Sequence, residues 1–379
     1  MRLASARAAL VLLAALLSVA ACGPGETSTS SDTSAVSDEL VAQVKKLSGP
    51  VDTYVLPTEP LGDVSRLTGK TVYYIPITVQ AKQFTISGNA LRAALATVGV
   101  KLQICNGNSN PSDVAACVAQ ATAANAGAIV TDSIPYALAA NAFDAAQAKK
   151  IPVLITDQIP DPAHPASATL GYLEGGGRAM MTALADWIIV DSGAKATVVV
   201  NVATDTPSTV AYVESAQQEF TAHCPDCKLV LNKISSANFN LIASTTSSAL
   251  LRTPDAKYLV SEFDQFLQPT QGGAQQAGKI AAVKGGSTAG GISGLKTLEA
   301  KNFLHVDVLQ ASTFQGWATA DAALRMMLGS ALPKYDIPIR IIDRENVGSI
   351  KITDAAEESG EWFGATDFPA KFTALWKAT

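Results

Sequence analysis

The residues of this chain best placed to do chemistry are polar side chains stationed where short apolar runs end. Lys82, Gln83 and Phe84 follow the run Val72 to Ile77, Asp132 follows Ala128 to Thr131, and Asp157 with Gln158 follows Pro152 to Thr156. Further on, Asp205 and Ser208 follow Thr197 to Val202, Asp264 follows "YLVSEF", and Gln310 closes "VDVLQ". A carboxylate accepts two hydrogen bonds from hydroxyls, and a charged acceptor holds them more strongly than a neutral one. An ammonium such as that of Lys82 could instead meet a carboxylate. The chemistry on offer is reversible polar binding. Asp132 has a second reading as a helix cap together with Ser133, and Lys82 has one as a solvated surface residue.

A catalytic constellation is not among these residues. His164, His223 and His305 lie in unrelated places with no metal-ligand spacing, so no metal site and no catalytic group is assigned. Two near matches to a phosphate-binding loop fail: "GAQQAGKI" ends in Ile280 where a magnesium-binding hydroxyl belongs, and "TGKT" at Thr68 to Thr71 precedes a strand instead of following one. The glycines at Gly175 to Gly177 and Gly285 to Gly294 read as turns and close helix packing. No cofactor is implied.

The elements that position these residues lie downstream of an export signal. Arg2 and Arg7 form a positive start, Ala8 to Leu17 is apolar, and Val19-Ala20-Ala21 places small residues before Cys22. That pattern reads as a signal peptide over 1–21 with Cys22 as the lipidated residue. The apolar stretch, about 14 residues, is short of the ~20 needed to span a bilayer. Residues 22–37, rich in Ser and Thr, read as a flexible tether holding an extracytoplasmic domain near a membrane. Without Arg2 and Arg7, 26 basic residues face 33 acidic ones, a net charge near −7 that argues against nucleic acid as a partner. Four cysteines besides Cys22 in an oxidising compartment favour two disulfides, and sequence order suggests Cys105 with Cys117 and Cys224 with Cys227. The CPDC motif of the second pair follows a helical stretch and precedes a strand, the reverse of a thioredoxin-like site.

From Lys70 the chain alternates apolar runs with helical stretches, the pattern of parallel strands and crossover helices. Strands are expected at Val72–Ile77, Val100–Ile104, Ala128–Thr131, Pro152–Thr156, Thr197–Val202, Leu229–Ile234, Tyr258–Ser261, Ile280–Val283, Val306–Leu309 and Ile337–Ile342. Helices are expected at Ile86–Val98, from Asn110-Pro111 to Ala124, and at Ala137–Lys149, Gly177–Val190, Val210–Ala222, Ile242–Leu251 and Ala318–Leu328. The class is α/β: two doubly wound parallel-sheet lobes.

This order of units behind a lipoprotein tether resembles the type I periplasmic binding proteins, in particular the sugar-binding branch that serves ABC importers. The resemblance covers roughly 69–347. "VGVKLQICNGNSNPSDVAACVAQATAANAGAIVT" is similar to that family's second strand, polar loop and following helix, and "IPVLITDQ" to the strand ending in a ligand-facing Asp. "TPDAKYLVSEFDQFLQPTQGGAQQAG" and "VLQASTFQGWATADAALRMMLGSAL" resemble the segments that carry an Asp after a strand and a strand-end Gln before the return to the first lobe. The resemblance implies a hinge between lobes made of 69–166 plus 311–337 and 167–310 plus 338–350, flanked by extensions 38–68 and 351–379. It implies ligand contact by Asp264 and Gln310 above all, stacking by an aromatic such as Phe84, a sugar or polyol as ligand, and a monomer serving a permease and its ATPase. The family often carries an Arg on the helix after Ser208, where this chain has Tyr212 and Glu214. A receptor for a small organic acid, and a sensory lipoprotein reporting to a membrane kinase or chemoreceptor, are the alternative readings.

Overall fold

The computed structural model describes residues 36–377. The export signal, Cys22 and nearly all of the tether lie outside the described residues. The first elements are α1 (Asp38–Ser48), β1 (Thr71–Pro76), α2 (Lys82–Ala96), β2 (Lys101–Ile104), α3 (Pro111–Ala123), β3 (Ala128–Asp132), α4 (Ala140–Ala148), β4 (Val153–Thr156) and β5 (Leu170–Leu173). Next come α5 (Gly177–Ser192), β6 (Thr197–Ala203), α6 (Pro207–His223), β7 (Lys228–Ile234), α7 (Ile242–Arg252), β8 (Tyr258–Ser261) and α8 (Leu267–Gln276). The last are β9 (Lys284–Thr288), α9 (Ile292–Glu299), β10 (Leu304–Gln310), α10 (Ser312–Leu328), β11 (Ile339–Asp343), α11 (Asp354–Ser359) and α12 (Phe368–Lys377).

Two sheets result. β1 to β5 form a parallel sheet in the order β2-β1-β3-β4-β5, and the rest form a second in the order β11-β10-β9-β8-β6-β7. Among the described residues only β11 runs antiparallel, against β10. Every residue of β3 and β4 is buried, as a parallel sheet covered by helices on both faces requires. Local chemistry sets the helix starts: Asn110 accepts from the Ser112 amide with Pro111 next in line, and Thr206 accepts from the Thr209 amide ahead of α6. Gly193 and Gly329, both in the left-handed region, end α5 and α10.

The chain passes from the first sheet to the second between Leu173 and Gly177. It returns at Ala311, where α10 packs against α2 and the first sheet, and crosses again at Pro338 into β11. These three segments lie together: the Ala311 amide donates to the Pro338 carbonyl at 2.9 Å, and the Gly176 amide to Gln310 Oε1 at 3.0 Å. Both expected disulfides are formed, Cys105–Cys117 joining the end of β2 to α3 and Cys224–Cys227 closing the turn before β7, with Cα separations of 5.8 and 5.3 Å.

Three expectations need correction. The first sheet has a fifth strand, β5, so it continues through Leu173, beyond the expected limit of residue 166. The ninth strand is Lys284–Thr288, not Ile280–Val283. Its Gly-Gly start defeats strand propensity, yet a Cβ at Gly285 would stand 2.6 Å from the Phe303 ring, so glycine is what lets β9 pack there. Finally, the last strand starts at Ile339 and α10 at Ser312, because Pro338 lacks an amide for the ladder and Gln315 continues the helix backward to Ala311.

Candidate functional site

The carboxyl ends of β3 and β4 carry two aspartates on one face of the first sheet. Asp132 is 1% exposed, and its Oδ2 accepts from Tyr74 Oη at 2.6 Å. Asp157 sits in the left-handed region at φ 53°, which turns its side chain from the strand line toward the hinge. Its Oδ2 accepts from Gln315 Nε2 at 2.7 Å, and its Oδ1 occupies the space a Cβ at Gly175 would need. Burial raises the Asp132 carboxyl above its ordinary range. Burial and then the neighbouring Asp132 charge push Asp157 well above it.

Residues from the second lobe close on this pair. Tyr212 Oη, on α6, donates to the Asp157 carbonyl at 3.2 Å. Ser208 Oγ donates to Gln158 Oε1 at 2.8 Å and accepts from the Ile159 amide at 3.1 Å, while Gln158 Nε2 donates to the Asp157 carbonyl at 2.8 Å. Gln310, 8% exposed, is anchored to Gly176 of the first crossing. Asp132, Asp157, Gln158, Ser208 and Gln310 are thus brought into one interlobe cluster.

Asp264 belongs to a second cluster at the carboxyl end of the second sheet. It faces the Gly291 amide at the start of α9 and the fully buried Asp307 of β10; Cβ atoms on Gly294 would lie 2.6 Å from Asp264 Oδ1 and 2.8 Å from Asp307 Oδ2. Burial lifts Asp264 to about 6, with Glu357 of α11 adding to the rise, and lifts Asp307 well above the carboxylate range, with the Asp264 charge second. Glu262, fully buried just before it, accepts from the Ala203 amide at 2.6 Å and is also pushed up by burial.

The remaining candidates sit elsewhere. Lys82 opens α2 and pairs with Glu358 at 2.8 Å and Asp354 at 3.4 Å, both from α11. Gln83 beside it is partly buried, and Phe84 is 5% exposed with its carbonyl accepting from Tyr74 Oη at 3.1 Å. Asp205 is exposed and holds the loop after β7 by accepting from Ser235 Oγ at 2.7 Å and the Ser236 amide, apart from both clusters. A concavity of ≈ 520 Å³ lined by Lys195, Lys257, Lys284 and Arg344 lies at the amino ends of the second sheet, away from all of them.

Sequence reasoning passed over Tyr74, Glu262, Asp307, Gln315 and Glu357. Asp307 had a signal, a charge at the centre of the apolar strand "LHVDVLQ". Gln315 and Glu357 had none, because they reach the site from α10 and α11 only once the chain has recrossed the hinge.

No family model matches the chain, and no curated protein matches it. Solved structures do. One is an ABC transporter solute-binding protein from Agrobacterium vitis bound with alpha-D-tagatopyranose: 19% identity, TM-score 0.65, covering 76% of this chain and 97% of that one. A 5-methylthioribose transporter solute-binding protein from Thermotoga lettingae, in complex with 5-methylthioribose, shows 18% identity and a TM-score of 0.67 over 84% and 99%. One from Bacillus halodurans with bound myo-inositol shows 15% identity and 0.63 over 76% and 98%. The chain has the fold shared by these ABC-transporter sugar and polyol binders, the type I periplasmic-binding-protein fold.

Proposed function

We propose that this chain is an extracytoplasmic solute-binding protein that captures a sugar or polyol between its lobes and passes it to an ABC importer. The observation that carries the reading is the acceptor-rich, cation-poor character of the interlobe region. Asp132 Oδ1, Gln315 Oε1, Glu262 Oε1 and Asp264 Oδ1 are buried acceptors with no hydrogen-bond partner among the described residues. Lys82 at the start of α2 is paired with Glu358 of α11, and Arg178 of α5 with Glu174 at 2.6 Å. A ligand rich in hydroxyl donors satisfies such a site, whereas an organic acid would meet carboxyl groups on both walls. Ligands in open α/β sheets bind at the carboxyl ends of the strands, where these residues stand, and the solved structures with bound tagatose and myo-inositol support the same class.

On this reading Asp132, Asp157, Gln158, Ser208, Asp264 and Gln310 are the ligand contacts, binding is reversible, and the protein acts as a monomer. Lipidation at Cys22, supported by the residues before it, holds it at the membrane. Among the described residues no helix is long and apolar enough to cross a bilayer. A thermal-shift screen against sugars, polyols, nucleosides, amino acids and organic acids tests the reading. Ligand at a hundred times its dissociation constant adds ~2.7 kcal/mol, several degrees for a chain of this size. A selective rise with a sugar or polyol is expected; a rise with acids alone overturns it.

A further inference from the structure

Both extensions cross between the lobes. At the amino end, α1 packs on the second lobe: Leu40 and Val44 join its core beside α5, and Gln43 Nε2 donates to Asp186 Oδ2 at 3.1 Å. The chain then leaves for the first lobe, where Tyr54 stacks on Phe314 of α10 with ring centroids 4.8 Å apart, and the Glu59 carbonyl accepts from Arg325 at 2.6 Å. At the carboxyl end, the segment after β11 starts beside α9 of the second lobe and passes through α11 to the first. There Phe368, Phe372 and Trp376 of α12 pack on α10, with Trp376 stacked on Trp317 at 5.7 Å and its Nε1 donating to Asp321 at 2.7 Å.

The two crossings run side by side. The Val51 amide donates to the Phe363 carbonyl at 2.7 Å, and Val51 bridges to Gly364. One side chain holds both: Arg340, two residues beyond the hinge proline and 6% exposed, donates from Nε to the Ser48 carbonyl at 3.2 Å and from Nη1 to the Trp362 carbonyl. Asn346 Nδ2 adds a second bond to Ser48 at 3.2 Å. Nearer the cleft, α11 touches both lobes, through Lys82 and Thr313 Oγ1 on one and Glu357 against Gly291 and Ile292 on the other.

A hinge of three strands leaves lobe opening limited mainly by bending at those strands. We infer that the amino- and carboxyl-terminal extensions form a double strap, pinned by Arg340, that ties the lobes together outside the hinge and limits how far the cleft opens. Arg340 acts as a positioning residue, since it touches the straps and not the candidate ligand contacts. Each strap is anchored at both ends by buried apolar groups, so its few crossing residues set its reach. Packing alone would keep each extension on one lobe; two side-by-side crossings held by one buried guanidinium have a different consequence, because separating the lobes must stretch them.

The test needs no ligand and so stands or falls independently of the proposed function. Non-cysteine spin labels at the exposed Asn141 of α4 and Lys233 of β7 report the interlobe separation in the full, unliganded chain. Three forms are compared: the parent, Arg340→Gln, and a chain with Gly-Ser spacers inserted between Gly49 and Pro50 and between Ile350 and Lys351. The spacer chain keeps every anchoring contact and guards against a folding defect in Arg340→Gln. The expected result is a shift to longer separations, with a broader distribution, in both altered forms. Coincident distributions in the parent and spacer chains overturn the strap.

Discussion

Gln315 and Asp157 meet at the junction of the lobes, the amide of one donating to a carboxyl oxygen of the other at 2.7 Å. They come from elements separated by most of the second lobe, α10 and the end of β4, and their bond exists only because the chain recrosses the hinge. Asp157 is further tied to Tyr212 and Gln158 through its carbonyl. A residue held by three elements at a hinge senses any movement among them.

Asp157→Asn is therefore expected to weaken sugar or polyol binding by roughly 10- to 100-fold, the cost of leaving a buried polar partner unsatisfied, about 1–3 kcal/mol. The measurement is calorimetric affinity at fixed pH, with circular dichroism confirming an unchanged fold. The same change in Asp205, which is exposed and turned to the Ser235 loop, is expected to leave affinity within about twofold, below the ~0.5 kcal/mol typical of surface substitutions.

Asp186 supplies a pH prediction in the second lobe, where burial, with Glu219 second, lifts its carboxyl to about 7. A folded pKa above the unfolded one means the group's contribution is fully present below about pH 4 and is lost as pH rises through about 7. Asp186→Asn, which keeps an acceptor for Gln43, is expected to be more stable than the parent at pH 8 by ~2 kcal/mol and equal to it at pH 4. Urea unfolding at the two pH values checks this.

The Cys105–Cys117 bridge closes a short loop of sequence separation 12. Chain-entropy reasoning gives such a loop about 3 kcal/mol of stabilisation. Replacing both cysteines with alanine is expected to lower the melting temperature by several degrees, read by calorimetry.

Much of this fold was legible because parallel strands covered on both faces must be continuous apolar runs, as at Ala128–Thr131 and Tyr258–Ser261. β9 was not, since its glycines are chosen for the approach of Phe303 and not for strand propensity. Strand-end aspartates such as Asp157 announced themselves by position. Gln315, Glu357 and Arg340 could not, because the segments carrying them meet their partners only through three-dimensional return of the chain. Lys82 looked like a candidate contact for the same reason: nothing near it in sequence revealed Glu358, 276 residues away.

Ligand capture at the interlobe cluster is tested most directly by a calorimetric titration of the parent and Asp157→Asn with whichever compound raises the melting temperature most. The expected result is a sugar or polyol bound one per chain, with affinity lost by at least tenfold, ~1.4 kcal/mol, in the variant. Tight binding by an organic acid, or a sugar bound equally well by both proteins, would contradict it.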